Sequence, residues 1–364
     1  MGKMKYYVLK DILAKNADYN IIIGERSNGK TYSCLKYAIE QYILSGKQSA
    51  YIRRWKEDVI GKRAENVFSA IVSNEEVFNI TKGKYTNVIY SRGKWYLGNY
   101  DDVKKRFIAD VTPFCYAFSL SDVEHDKSTS YPNIDTIIFD EFLSRRAYLP
   151  DEFVIFMNVL STIIRERSGV KIFMLGNTVN KYCPYFDEMG LVNVSTMLQG
   201  SIDVYSYGDN NLKVAVEYCA TLNTKKKSNK YFAFNNPKLS MITGGSWEID
   251  IYPHLEPGKK IKHKDIVFSF YVLFNNKIIQ GDIVEDGSNM FLFFHNKTTA
   301  IKDEKNSLIY SLNPKTSPNY RRNLLSTMGN LDKKIAYFFA VNKVFYQSND
   351  IGEIIHNYLL QCTK

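Results

Sequence analysis

The sequence predicts an α/β protein: a doubly wound sheet over about the first 200 residues, then a smaller α+β domain. Three observations predict it. "IIIGERSNGKT" (21–31) sets a short β-branched strand directly before a glycine-rich turn that ends in Lys-Thr. "IDTIIFDE" (134–141) and "VKIFMLGN" (170–177) are unbroken apolar runs of strand length, the pattern of parallel strands covered on both faces. Between such strands apolar residues recur at helical spacing, and repeated strand-helix-strand units wind a sheet of this kind.

Taken in order, Ile21–Ile23 form the first strand, and Leu35, Ala38, Ile39, Tyr42 and Ile43 mark one helical face stopped by Gly46. "SAYIRRW" (49–55) gives a short strand, and "TNVIYSRGKWYLGNY" (86–100) a hairpin turning at Arg92-Gly93, an insertion that decorates the core. The strand over 134–141 closes on two acids, Asp140 and Glu141. Phe153, Phe156, Met157, Leu160 and Ile164 trace the next helix, and 170–177 is a second buried strand. The first domain spans 1–200. Residues 201–235, with the basic run "TLNTKKKSNK", read as the exposed connection between domains. In the domain over 236–364, strands separated by Asn-Asn and Asp-Gly turns read as a meander, followed by helices near 332–346 and 350–362.

Composition narrows the function classes. A chain of 364 residues that is 45% hydrophobic and 24% charged is globular, neither fibrous nor disordered, and two domains suit its length. No apolar run approaches the roughly 18 residues of a membrane span, and "MGKMKYYVLKD" lacks the apolar core of a signal peptide, so a cytosolic protein with no membrane partner is expected. Cys34, Cys115, Cys183, Cys219 and Cys362 are odd in number without a C-x-x-C pair, which favours buried reduced thiols over disulfides. His125, His254, His263, His295 and His356 show no ligand spacing, so zinc is not expected. The net charge of +10 is uneven: residues 221–364 carry 20 Lys+Arg against 12 Asp+Glu. That bias suits a polyanion such as nucleic acid, and equally a solubilising surface.

Gly24-Glu-Arg-Ser-Asn-Gly-Lys-Thr31 matches the phosphate-binding loop G-x-x-x-x-G-K-[ST], in the strand-to-helix position its mechanism requires. Gly24, Glu25, Arg26, Ser27, Asn28, Gly29, Lys30, Thr31 and Tyr32 form the nucleotide-binding set. Backbone N–H groups curl around phosphates, Lys30 reaches the β- and γ-phosphates, and the Thr31 hydroxyl ligates Mg²⁺. Asp140, at a strand end, is the acid expected to hold the metal. Glu141, directly after it, can polarise a water for attack, which favours hydrolysis over transfer to a second substrate. Asn177 closes the following strand as a γ-phosphate sensor or as a turn residue. Arg165 and Arg167, on "IIRERSGV", fit either an arginine finger entering a neighbour's site or caps of a helix C-terminus. Arg53, Arg54 and Lys56, on "YIRRWKED", suit phosphate contact with nucleic acid or a solvated strand end.

With these residues in place, the chain resembles the DNA-packaging ATPases of φ29-like tailed phages, small relatives of the large terminases and the FtsK/HerA translocases. The likeness runs through "IIIGERSNGKTY", "YIRRWKEDV", "DKSTSYPNIDTIIFDEF" and "IIRERSGVKIFMLGNTVNKYCPYF" over residues 20–190, and is one of layout over the last third. The resemblance implies a P-loop domain of the ASCE class, RecA/FtsK-like, and a second domain like an RNase H-type nuclease without activity. In that reading Lys30 and Thr31 bind ATP-Mg²⁺, Asp140 holds the metal and Glu141 is the catalytic base. Arg165 acts in trans, Lys127 and Arg167 lie near the same intersubunit site, and Arg54 and Lys56 face DNA. The implied assembly is a homopentameric ring on the portal of a prohead in the host cytoplasm, translocating double-stranded DNA. Some relatives dock through a packaging RNA, and no motif here decides that point. Absence of acids in "IVFSFYVLF", with Asp282, Glu285 and Asp286 in a later turn, agrees with loss of nuclease chemistry. Two rival readings are a small-molecule phosphotransferase, against which Glu141 speaks, and a portal-associated scaffold with a vestigial site, against which the intact loop and acids speak.

Overall fold

The computed structural model describes residues 6–125, 130–144, 148–178, 183–208, 211–220, 252–274 and 277–362. The chain divides into two compact units, Met1–Glu248 and Ile249–Lys364.

The first unit is built on a ten-stranded mixed sheet. Its parallel centre runs in the order β6 (Cys115–Ser119), β2 (Gln48–Arg53), β7 (Ile134–Asp140), β8 (Lys171–Asn177), β1 (Tyr19–Gly24) and β10 (Leu212–Tyr218). β9 (Ile202–Tyr207) pairs antiparallel with β10 at one edge, and β3 (Asn87–Ser91), β4 (Lys94–Asp101) and β5 (Arg106–Ala109) extend the other. β8 lies between β1 and β7.

Both faces of this sheet are covered, which is why its central strands carry no polar alternation. Ile21, Ile23, Ile137 and Phe139 pack on one side with Phe156 and Leu160 of α6 (Glu152–Ile164) and with Tyr185 of α7 (Pro184–Glu188). Ile22 and Ile138 pack on the other with Cys34, Leu35, Ala38 and Ile39 of α2 (Lys30–Ser45) and with Ile12 of the short α1 (Lys10–Leu13). α2 ends where predicted, at a left-handed Gly46, but Ile43 is exposed and lies off the buried face. The hairpin also turns where predicted, with Arg92 and Gly93 both at positive φ. It is anchored by Trp95, fully buried against Phe68 and donating its ring N–H to the Ala64 carbonyl. Ala64 and Phe68 belong to a run that the sequence left unassigned, which forms α3 (Gly61–Glu65), α4 (Ser69–Ser73) and α5 (Glu76–Ile80). All five cysteines are free and buried, as expected.

The connection expected over 201–235 is corrected on its N-terminal side. β9 and β10 belong to the main sheet, and β10 pairs with β1 along Tyr19–Ile23. Exposed residues on β9 and at the start of β10 hide strands whose inward side chains Val214 and Val216 are buried. Residues 221–235 lie outside the described residues.

The second unit carries a six-stranded sheet ordered β15 (Tyr320–Arg321), β14 (Ile309–Ser311), β11 (Ile266–Phe274), β12 (Lys277–Asp286), β13 (Asn289–Asn296), β16 (Val344–Tyr346). β11, β12 and β13 form the predicted meander, with the Asp286-Gly287 turn in place. Asn275 and Asn276, the other expected turn, lie outside the described residues. In its core Phe270 makes edge-to-face contacts with Phe294 and Tyr310, and Phe274 makes another with Tyr358 of α9 (Asn349–Cys362). The helix expected over 332–346 is shorter: α8 spans Asn330–Ala340, Asn342 turns left-handed, and 344–346 pair with β13. Asp282 is not in a turn either. It lies within β12, where its side chain is buried and accepts hydrogen bonds from Ser269 (2.6 Å) and Gln280 (2.9 Å) and meets His295 Nε2 at 2.8 Å. Burial pushes its carboxyl up, but these bonds outweigh burial and hold it below the ordinary aspartate range.

Candidate nucleotide site

Parallel strands bring their C-terminal ends to one edge of a sheet, and here β1, β2, β7 and β8 deliver the candidate residues to a single cavity of ≈ 670 Å³. The loop between β1 and α2 turns through left-handed Ser27 and Gly29. Glycine is required at 29, where φ is +96° and a Cβ would sit 3.2 Å from that of Tyr6. At Gly24 the backbone packs against Cys219, leaving 2.9 Å for an added Cβ.

Lys30 is buried, and its Nζ donates to the Glu25 carbonyl (2.7 Å), the Asn28 side-chain oxygen (3.2 Å), the Gly24 carbonyl (3.4 Å) and Asn177 Oδ1 (3.4 Å). Burial draws the ammonium below the ordinary lysine value, against the pull of the nearby Asp140 carboxylate. Among the described residues the buried Asn28 Nδ2 meets no hydrogen-bond acceptor. Together the ammonium, the unpaired amide donor and the helix N-terminus make a site that accepts anions.

Thr31 Oγ1 donates to Asp140 Oδ1 at 3.0 Å, so a hydroxyl and a carboxylate from two elements meet at the cavity floor. This is the hard oxygen pair that suits Mg²⁺, and the residues therefore fit the metal. The second Asp140 oxygen accepts from Tyr51 (2.8 Å), and Arg53 stands 3.6 Å from it. Glu141 lines the cavity with an exposed side chain, its backbone left-handed at φ 58°, and its Oε2 accepts from Arg53 at 2.6 Å. Asn177 lies opposite Gly24 in the β1–β8 register, which explains its reach to Lys30.

The remaining predicted residues separate. Arg26 and Ser27 line the cavity, whereas Gly24 and Glu25 back it and offer their carbonyls to Lys30. Tyr32 lines it too, with its hydroxyl on Glu76 at 3.0 Å. Arg54 does not face a DNA surface: it is buried, forked onto Glu152 (2.7 and 2.9 Å) and stacked over Tyr148. Lys56 is exposed and paired with Asp122 at 2.6 Å. Arg165 and Arg167 lie at the other end of β8, roughly 20 Å of strand from the cavity. Arg165 is exposed. Arg167 donates to the carbonyls of Tyr131 (3.1 Å), Pro132 (3.1 Å), Ile134 (2.5 Å) and Ile163 (2.7 Å), which makes it a backbone clamp and not a projecting finger. Lys127 lies outside the described residues.

Tyr51 and Arg53 are the site residues that sequence reasoning missed or misdirected. The signal was available in strand parity. Residues 51 and 53 of β2 share a face, and that face is the one turned to the loop.

The DNA packaging proteins of Bacillus phages PZA and phi29 are each 29% identical over 198 residues, 53% of this chain and 52% of theirs. That of Bacillus phage B103 is 32% identical over 179 residues, 48% of each chain. The chain thus spans about half the length of the curated relatives it matches. The fold is shared with the Phi-28 gp11 DNA packaging motor (17% identity, TM-score 0.55, 99% of both chains). It is also shared with the bacteriophage Phi-29 viral genome packaging motor assembly (21% identity, TM-score 0.58, 98% of this chain and 99% of that one). The model of the podovirus DNA encapsidation protein (Gp16) family matches residues 1–300, and the chain belongs to that family.

Proposed function

We propose that the protein is an ATP-hydrolysing motor subunit that drives double-stranded viral DNA into a preformed prohead. The observation that carries this is the convergence of Lys30, the Thr31–Asp140 pair, Glu141 and Asn177 on one cavity. The family membership and the packaging role in the names of its relatives supply the work to which hydrolysis is put.

In this reading Lys30 leaves its carbonyl partners to neutralise the β- and γ-phosphates, and loop N–H groups orient them. Mg²⁺ held by Thr31 and Asp140 would offset charge as the γ-phosphate departs. Glu141 takes the proton of the attacking water, and Asn177 senses the γ-phosphate. Arg165, at the far end of its own sheet, serves the cavity of a neighbouring copy in a homopentameric ring, with Lys127 near the same boundary. Lys56 faces the DNA. The first unit is assigned to the ASCE class of P-loop folds, supported by β8 lying between β1 and β7. The second is assigned an RNase H-like fold, supported by the order β13-β12-β11-β14-β15. It is proposed to have no nuclease activity, because Asp282 is engaged by Ser269, Gln280 and His295. Docking to the portal would take place in the host cytoplasm, with a packaging RNA as a candidate adaptor. Among the described residues no helix is long and apolar enough to cross a membrane.

The test is uptake of DNA into purified proheads, read as nuclease-protected DNA. Uptake that needs both ATP and this protein is expected, and uptake undiminished when Lys30→Ala replaces the native chain would refute the reading.

A further inference from the structure

Glu141 has an unusual backbone for a glutamate. Its φ of 58° is left-handed, in a segment that leaves strand β7 and must turn its carboxylate into the cavity. Such a conformation persists only where surrounding contacts over-determine it. Those contacts converge from three directions. Its own N–H donates to Asp140 Oδ1 at 3.1 Å, and the N–H of Phe142 donates to the Leu175 carbonyl at 3.1 Å. The third is Arg54, whose guanidinium donates to the carbonyls of Glu141 (3.3 Å) and Phe142 (2.6 Å).

Arg54 is itself fixed. The Glu152 carboxylate takes its Nε and Nη2 at 2.7 and 2.9 Å, and also accepts from the Tyr185 hydroxyl (2.8 Å) and the Leu149 N–H (2.7 Å). Arg54, Glu152 and Tyr185 are buried and their bonds are satisfied, so the network is stiff. A planar fork that binds a carboxylate on one edge and two successive carbonyls on the other is a task for arginine, which lysine cannot repeat.

We infer that Arg54, held by Glu152, is a positioning residue that locks the Glu141 turn and so fixes where the catalytic carboxylate points. This rests on the hydrolytic reading of the cavity. Arg54 also borders the cavity, but its guanidinium is taken up by Glu152 and by the carbonyls of 141 and 142, and it is through that backbone that it acts.

The test uses the full chain with two variants. Arg54→Lys keeps the charge and loses the fork. Arg54→Met with Glu152→Gln removes both charges, and the new amide can accept from the Leu149 N–H through its oxygen and donate to the Tyr185 hydroxyl oxygen through its NH2, which guards against a fold broken by one unpaired buried charge. Three quantities are read: the Kd for a fluorescent ATP analogue, kcat and KM for ATP with long double-stranded DNA present, and amide exchange over 141–143 and over the 24–31 loop. The expected result is native Kd and KM, a fall in kcat on the order of 100-fold, and faster exchange at 141–143 with the loop still protected. An unchanged kcat in a folded variant overturns the inference. Loss of nucleotide binding in both variants also overturns it, because Arg54 would then be a framework residue only. A wild-type chain that binds but never hydrolyses ATP would instead overturn the reading of the cavity, a result separable from the other two.

Discussion

Arg167→Ala separates the two arginines on which the intersubunit reading turns. The Arg167 guanidinium ties the last turn of α6, through the Ile163 carbonyl, to the segment entering β7, through those of Tyr131, Pro132 and Ile134. Hydrogen bonds from a charged donor are worth about 1.5–3 kcal/mol each, so four would sum to roughly 6–12 kcal/mol if fully buried. The side chain is only half-buried, and water can reach the released carbonyls, so the expected loss is about 2–4 kcal/mol. For a unit of this size that corresponds to roughly 4–16 °C in the melting temperature. Arg165→Ala removes an exposed side chain and should shift stability by no more than about 0.5 kcal/mol, while lowering ATP turnover on the order of 10³-fold or more in a uniform ring. Mixing Arg165→Ala with Glu141→Gln subunits should restore part of that turnover, because some interfaces then pair an intact Glu141 with an intact Arg165. Scanning calorimetry and ATPase assays across mixing ratios check both halves. Native melting of Arg167→Ala, or recovery in mixed rings with Arg167→Ala and none with Arg165→Ala, would refute the assignment.

Lys30→Ala should cut Mg-ATP turnover by at least roughly 10²–10³-fold, measured by phosphate release, because its ammonium is the charge that the loop itself holds in place through the Glu25 carbonyl and the Asn28 side chain. Glu141→Gln should bind ATP normally and hydrolyse it roughly 10²–10⁴-fold more slowly, seen by comparing equilibrium binding with single-turnover hydrolysis. Gly176→Ala brings a Cβ to 2.7 Å from Leu143, next to the Glu141 turn, so denaturant titration should show a loss of about 1–3 kcal/mol. Asp282 has a folded pKa below its unfolded value, so its contribution to the second unit is complete above the ordinary aspartate range and disappears as pH falls through the lower folded value. The stability gap between the native chain and Asp282→Asn should therefore hold from about pH 6 down to about 4 and shrink below that, and a gap independent of pH would contradict the bonding around Asp282.

The parts of the fold legible in the sequence are those where one physical constraint acts alone. A strand buried on both faces has no choice but an apolar run, so β7 and β8 were readable to within a residue and β1 to within two. A helix with one covered face shows its spacing, as α2 and α6 do, and a two-residue turn at Arg92-Gly93 announces its hairpin. β9 and β10 were not readable, because an edge pair leaves many side chains in water and their sequence becomes that of a polar loop. Asp282 failed for a related reason. An acid near a turn is ordinarily a solvated one, and beside the local Gln280 it takes Ser269 and His295, each 13 residues away, to make a buried position tolerable.

The site repeats that division at the scale of adjacent residues. Lys30, Thr31, Asp140 and Asn177 were legible because each sits at a strand end or in a loop whose local pattern dictates its direction. Arg53-Arg54 was misread as a single basic patch, although side chains on a strand point alternately to opposite faces. Tyr51 and Arg53 follow one parity into the loop side, where Asp140 and Glu141 receive them. Ile52 and Arg54 follow the other into the α6 side, where Ile52 joins the apolar core and a buried arginine is tolerated only because Glu152 meets it. The two arginines therefore grip the same glutamate from opposite sides, one at its carboxylate and one at its backbone carbonyl. Parity alone would have sent them apart. What it could not supply was the identity of Glu152 as partner, since that carboxylate arrives from 98 residues away and opens a helix whose pattern advertises only its apolar stripe.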